Sequence, residues 1–333
     1  MRRAAASEVE AIERDHWKAV WHNVVGDWRL YVMLIPMMFF LICWKYLPIA
    51  SMVISFKNFQ SSNSFGGGVY TSLWIGLDNY RDLFAQSAFW SAFRNTFALS
   101  FYSLVFGFPF PIILALFFSE IKNRGFLTVA QVLTYLPRFI SVVIVTNLVG
   151  LLLRTSSYAE NGALILSAGP IGWILENWFG QHNVISNPGA FRAIYIVSGI
   201  WETGGYSSIV YFAAILGISP TYYEAAKIDG ANKMQQLRYV TIPGMAPTLV
   251  IMLILRIGQL LSVGYEKVWL LQQQGAATVL ETGETVATYV INVYMGTGQG
   301  IGAAADMFNS LLSMVLVLGS NKIAKSVSKT SLF

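Results

Sequence analysis

Seven charged side chains, Lys45, Arg138, Glu202, Arg256, Glu266, Lys267 and Asp306, fall inside stretches apolar enough to cross a bilayer. A charge in hydrocarbon is costly, so it persists where it meets an opposite charge, a wet cavity or a cargo. Asn147, Gln259 and Asn309 are their uncharged companions. Glu202 lies about ten residues from the outer end of its stretch and Arg256 about twelve from that of the next, so at roughly 1.5 Å per residue their depths match. They are expected to pair, or to face one wet cavity; an ion pair without cargo contact is the plainer reading. Glu202 belongs to the string Trp201-Glu202-Thr203-Gly204-Gly205-Tyr206. Adjacent glycines loosen a helix, while Trp and Tyr offer flat faces on which sugars stack.

These groups need a membrane scaffold, and the composition supplies one. Hydrophobic residues make up 55% of the 333 and charged residues 12%, and the mean hydropathy is +0.54. Soluble domains carry roughly 25% charge. Six stretches suit a span, at 30–56, 94–118, 130–153, 192–217, 246–268 and 303–320. The expected fold is therefore an all-α, six-helix polytopic membrane protein with one membrane domain over 30–320, a segment 1–29 before it and a tail 321–333 after it. Pro36, Pro48, Pro109, Pro111 and Pro137 fall inside spans, where neighbouring helices re-satisfy the backbone.

Counted by segment, one side of the membrane holds thirteen Lys/Arg (Arg2 and Lys329 among them) and the other holds Lys57, Arg81 and Arg154. That asymmetry puts both termini in the cytoplasm. Trp17, Val20, Trp21, Val24, Val25 and Trp28 recur at helical spacing, which fits an amphipathic helix lying on the inner membrane face or packing on protein. The lone Cys43 excludes an internal disulfide, and 1–29 lacks the apolar core of a cleavable signal. His182 is isolated from His16 and His22, so no metal site is expected.

Between the fourth and fifth stretches lies a polar insert, 219–247. Ser219 and Pro220 suit a helix start, Asp229-Gly230 a turn, and Pro243 a stop for a second helix from Ala231 to about Val240. The result is a helix-turn-helix knob held to the membrane at both ends, with small residues on its exposed turn. Glu224, Ala225, Ala226, then Asp229, Gly230, Ala231, then Val240, Ile242 and Pro243 resemble the EAA loop of bacterial ABC importer permeases. Val240 and Ile242 depart from the family's Ile and Leu but stay apolar.

That resemblance implies the type I ABC importer permease fold, with 219–247 as a cytoplasmic coupling helix gripped by an ATPase. It implies two ATPase subunits that bind ATP and Mg, a second identical or homologous permease, and an external substrate-binding protein. In the family the fourth and fifth spans line the pathway, which nominates Trp201, Glu202, Tyr206, Arg256 and Gln259 here, although aromatics at helical spacing more often serve packing. From residue 30 to Phe333 the chain is similar to the oligosaccharide and polysaccharide branch, through Lys45-Tyr46-Leu47-Pro48, Leu136-Pro137-Arg138-Phe139-Ile140-Ser141, Leu255-Arg256-Ile257-Gly258, Val263-Gly264-Tyr265-Glu266-Lys267-Val268, Ser320-Asn321-Lys322-Ile323-Ala324 and Thr330-Ser331-Leu332-Phe333. Residues 1–29 carry no such likeness.

The outer segments fit a receiving role for a binding protein and a carbohydrate. Gly76-Leu77-x-Asn79-Tyr80, Phe89-Trp90 and Asn95-Thr96 resemble sugar-type permeases, although Trp74, Tyr80, Phe89 and Trp90 read first as an interfacial aromatic belt. No GxxxxGK[ST] loop, GxSxG elbow or HExxH helix occurs, so catalysis by this chain is not expected, nor is nucleic-acid binding. An ion-coupled secondary transporter or channel subunit is the rival; it needs no cytoplasmic knob. A membrane enzyme lacks an acid/base or metal constellation, and a passive scaffold leaves the buried charges unexplained.

Overall fold

The computed structural model describes residues 25–59, 67–158, 164–261, 263–275, 279–295 and 298–328. The expected N-terminal amphipathic helix lies outside these except at Val25 and Trp28, as does the closing Thr330–Phe333. The helices are α1 (Trp28–Leu41), α2 (Leu47–Ser51), α3 (Gly67–Thr71), α4 (Asp78–Ala85), α5 (Ser87–Gly107), α6 (Pro109–Glu120), α7 (Arg124–Tyr135), α8 (Val142–Leu153) and α9 (Pro170–Phe179). They continue with α10 (Pro188–Leu216), α11 (Pro220–Ile228), α12 (Lys233–Gln236), α13 (Ile242–Gly258), α14 (Tyr265–Gln274), α15 (Leu280–Gly283), α16 (Val286–Met295) and α17 (Gln299–Ser328). Two antiparallel ribbons accompany the helices: β1 (Lys57–Asn58) with β2 (Leu73–Trp74), and β3 (Ser157–Tyr158) with β4 (Leu164–Leu166).

Among the described residues, four continuous helical runs, Trp28–Phe56, Ser87–Glu120, Lys233–Gly258 and Gln299–Lys325, are long and apolar enough to span a bilayer. A fifth run is broken: Arg124–Phe139 and Val142–Leu153 meet at 103°. The sequence reads straight through this bend because both arms are apolar. Ile140 leaves the helix in extended backbone, and the Ser141 hydroxyl caps α8 by accepting from Val143 N. The sixth, α10, is 29 residues long but falls outside the apolar four, because Glu202, Thr203 and the glycines dilute it.

The fifth expected span is also displaced. Pro243 does not stop the preceding helix: a π-helical turn over Leu237–Thr241 leads directly into α13. The wider turn removes the demand for the amide that proline lacks and relieves its clash one turn back. At its other end α13 stops at Gly258, ten residues short of the expectation, and the chain restarts as α14.

α10 organises the core, and its most extensive contact is with α6. Close to one end, Phe191 joins Leu99, Val268 and Leu271; close to the other, Tyr211 and Ile215 join Ala115 and Met245. Leu83, Phe89, Val286 and Tyr289 form a third cluster with Ala304 and Ala305. Gly204-Gly205 does not loosen α10, whose helix is uninterrupted. A Cβ on Gly205 would lie 2.0 Å from the Thr134 carbonyl oxygen, and one on Gly204 2.7 Å from the Phe110 ring. The pair exists so that α6 and α7 can cross α10 closely.

Candidate functional site: an exposed knob and a broken helix

The knob forms where the sequence places it. α11 begins with Pro220 and ends at Asp229-Gly230, with Gly230 at φ +76°. The backbone amides of Gly230 and Ala231 return to the carbonyls of Lys227 and Ala226. Ser219 stands at the N-cap position, but its hydroxyl donates to Thr221 Oγ1 at 3.2 Å instead of capping an amide. The second helix starts two residues later than expected, at Lys233. Asn232 and Gln235 form a reciprocal capping box there.

Three contacts brace the knob. Tyr223 Oη and Thr241 Oγ1 lie 3.1 Å apart, Gln236 Nε2 donates to the Ala231 carbonyl, and Lys233 Nζ reaches Glu120 at 2.7 Å. Glu224, Ala225, Asp229, Gly230, Ile242 and Pro243 are exposed, while Ala226, Ala231 and Val240 are half-buried. Ile228, at the tip, is 87% exposed and so offers a partner an apolar contact. A cleft of about 840 Å³ runs between the knob and the end of α6, lined by Phe117, Glu120, Tyr223, Glu224, Lys233 and Met234 among others.

The expected pathway residues do not form one constellation. Glu202 pairs with Lys267 of α14 (2.7 Å), each side chain 11% exposed, and not with Arg256. The matching depths assume a fifth span that runs on unbroken; the break after Gly258 brings Lys267 to Glu202 in place of Arg256. Lys267 Nζ also sits 5.6 Å from the Tyr195 ring centroid. Arg256 and Gln259 instead share a small notch with Ser100, Ser103 and Tyr195. Trp201 borders a separate apolar groove with Leu148, Ile171 and Val197, and Tyr206 stands edge-on to Phe139. Ser100, Ser103 and Tyr195 escaped sequence reasoning; the spacing of the serines on one face of α5 was the available signal.

The opposite end of the molecule is polar and cross-tied. Arg192 donates to Asn95, Asn95 donates to the Glu281 carbonyl, and Tyr289 donates to Gln86. On α9, burial pushes the Glu176 carboxyl upward, but hydrogen bonds from His182 and Ser156 outweigh it and hold the group below the usual carboxylate range.

Residues 107–323 match the family described as binding-protein-dependent transport system inner membrane component. The chain is a permease of that family. It is a transport component of a membrane system and not an enzyme. The permease is 32% identical to the polygalacturonan/rhamnogalacturonan transport system permease protein YteP of Bacillus subtilis (strain 168), covering 99% of this chain and 98% of that one. It is 29% identical to Protein LplB of the same organism, covering 98% and 94%. Its fold matches a chain in the crystal structure of a bacterial ABC transporter involved in the import of the acidic polysaccharide alginate, with TM-score 0.80, 34% identity and coverage of 93% and 99%. A second match, with TM-score 0.80, 35% identity and coverage of 94% and 99%, is to the alginate transporter in complex with an alginate pentasaccharide-bound periplasmic protein. The permease thus has the type I ABC importer fold.

Proposed function

We propose that this permease is the membrane subunit of an ATP-driven importer of an acidic oligosaccharide or polysaccharide, such as alginate or a pectin fragment, received from an external binding protein. The observation that carries this reading is the exposed, internally braced knob with its EAA-type residues outward. Two ATPase subunits holding ATP and Mg grip it, and a second permease, identical or homologous, completes the pathway. Closure of the ATPases moves the knob as one lever and swings the attached helices between outward-open and inward-open states. Glu224 and Asp229 orient the docked knob, Ala225, Ala226 and Ala231 allow close approach, and Val240, Ile242 and Pro243 join the knob to α13. The relatives that handle polygalacturonan, rhamnogalacturonan and alginate support an acidic glycan as cargo. The chain lies in the cytoplasmic membrane with both termini inside.

Gly230→Pro forces φ to about −65° where +76° is required, and Glu224→Lys reverses the charge on the exposed face. Each is expected to abolish ATP-dependent glycan uptake by the reconstituted complex while membrane insertion is kept and ATP hydrolysis continues. Undiminished uptake by both variants defeats the coupling role.

A further inference from the structure

The chain break after α13 lies at membrane depth. Lys267, three residues into α14, contacts Glu202 in mid-α10, and Tyr195, two turns nearer the outer end of α10, borders the same notch as Arg256, Gln259 and Val263. Irregular backbone at that depth is tolerated where it is buried in protein or lines a wet cavity, and transport proteins place polar-substrate sites at such discontinuities. The notch has a volume of about 150 Å³, room for one sugar unit with its charged substituent and not for a run of several.

Its donors are unclaimed. Ser100 is 7% exposed, and its Oγ is buried without a hydrogen-bond partner among the described residues. Arg256 has no ion pair and no side-chain hydrogen bond to a described residue, and neither have Ser103, Gln259 or the Tyr195 hydroxyl. Lys267, beside the Tyr195 ring, is already neutralised by Glu202. Residues bearing a guanidinium, an amide and three hydroxyls therefore line one notch, with Arg256 as its one charge. A planar carboxylate, like a phosphate, satisfies a guanidinium fork and neighbouring hydroxyls together, and the acidic glycan of the proposed function carries the carboxylate.

We propose that Arg256, Gln259, Ser100, Ser103 and Tyr195 form a subsite for the carboxylate of a uronic acid residue in the transported glycan. The subsite deepens the reading of an acidic-glycan importer and rests on it. It makes the carboxylate, and not the sugar ring, the feature the permease itself recognises. Trp201 and Tyr206 lie outside it.

The test is equilibrium binding to the full chain in zwitterionic nanodiscs, with an unsaturated trigalacturonate and its carboxyl-reduced neutral counterpart as probes. The acidic trimer is expected to bind at least ten-fold more tightly than the neutral one. Arg256→Gln is expected to erase that preference and Arg256→Lys to restore part of it, with the neutral trimer unaffected by either. Equal binding of the two trimers to the wild-type chain, or a preference that survives Arg256→Gln, overturns the subsite. So does loss of trimer binding when an anionic lipid is added to the discs, which assigns the notch to a headgroup. Should the preference hold while the assembled complex imports no glycan with ATP, the subsite stands and the importer reading falls.

Discussion

The Glu202–Lys267 pair shows how a buried charge should be read. Both partners are nearly enclosed, so removing one strands the other in a low dielectric, whereas removing both leaves an apolar contact. Lys267→Met alone is expected to destabilise the purified permease by about 3–5 kcal/mol, and Glu202→Leu with Lys267→Met to recover most of that. Thermal unfolding in detergent of the two single variants and the double variant measures the coupling. A double variant no better than the singles would show that the pair does not act as a unit. Sequence revealed that both residues were intramembrane charges but not that they were partners. The discriminating fact, a helix that ends at Gly258, has no signature beyond two glycines six residues apart in an otherwise apolar run. Ser100 and Ser103 offered only their spacing on one face of α5, a faint signal because small hydroxyl residues in a membrane helix usually bond to their own backbone.

At the scale of elements, legibility followed the chain's punctuation. The knob was readable because Pro220, Asp229-Gly230 and the small residues each carry a local backbone reason to be there. Pro243 misled because a proline stops a helix only where the turn before it is α-helical; the π turn at Leu237–Thr241 supplies another solution. The bend at Ile140-Ser141 and the restart at α14 depend on what packs around them, which periodicity does not report. If the knob works as a lever, its internal bonds must hold under load. Gln236 is 7% exposed and ties α12 to the Ala231 carbonyl. Gln236→Leu leaves that carbonyl unpaired at a cost of about 1–3 kcal/mol. The opening is local, so amide exchange across 220–236 is expected to accelerate roughly five-fold or more while the melting temperature barely moves. Unchanged exchange in that segment would mean the knob is held by its tethers alone.

For the whole molecule the question is which end faces the cytoplasm. Contacts divide the polar segments into two groups without reference to charge: Lys233–Glu120 ties the knob to the end of α6, whereas Asn95, Arg192, Glu281, Gln86 and Tyr289 gather at the far end. Lys122, Arg124, Lys227, Lys233 and Arg238, in the knob and in the turn after α6, all fall on the knob's end. The helical run Trp28–Phe56 has none of its apolar window buried within the chain, so its wide apolar surface is left for lipid or a packed partner. Orientation is testable because Cys43 is the sole cysteine. In a Cys43→Ser background, Lys227→Cys on α11 and Gln181→Cys beyond α9 sit at exposed positions of opposite ends. In right-side-out membrane vesicles, an impermeant maleimide is expected to label Gln181→Cys at once and Lys227→Cys only after permeabilisation. The reverse pattern would put the knob where no ATPase can reach it, so one labelling experiment decides whether the charge asymmetry and the lever belong to the same side of the membrane.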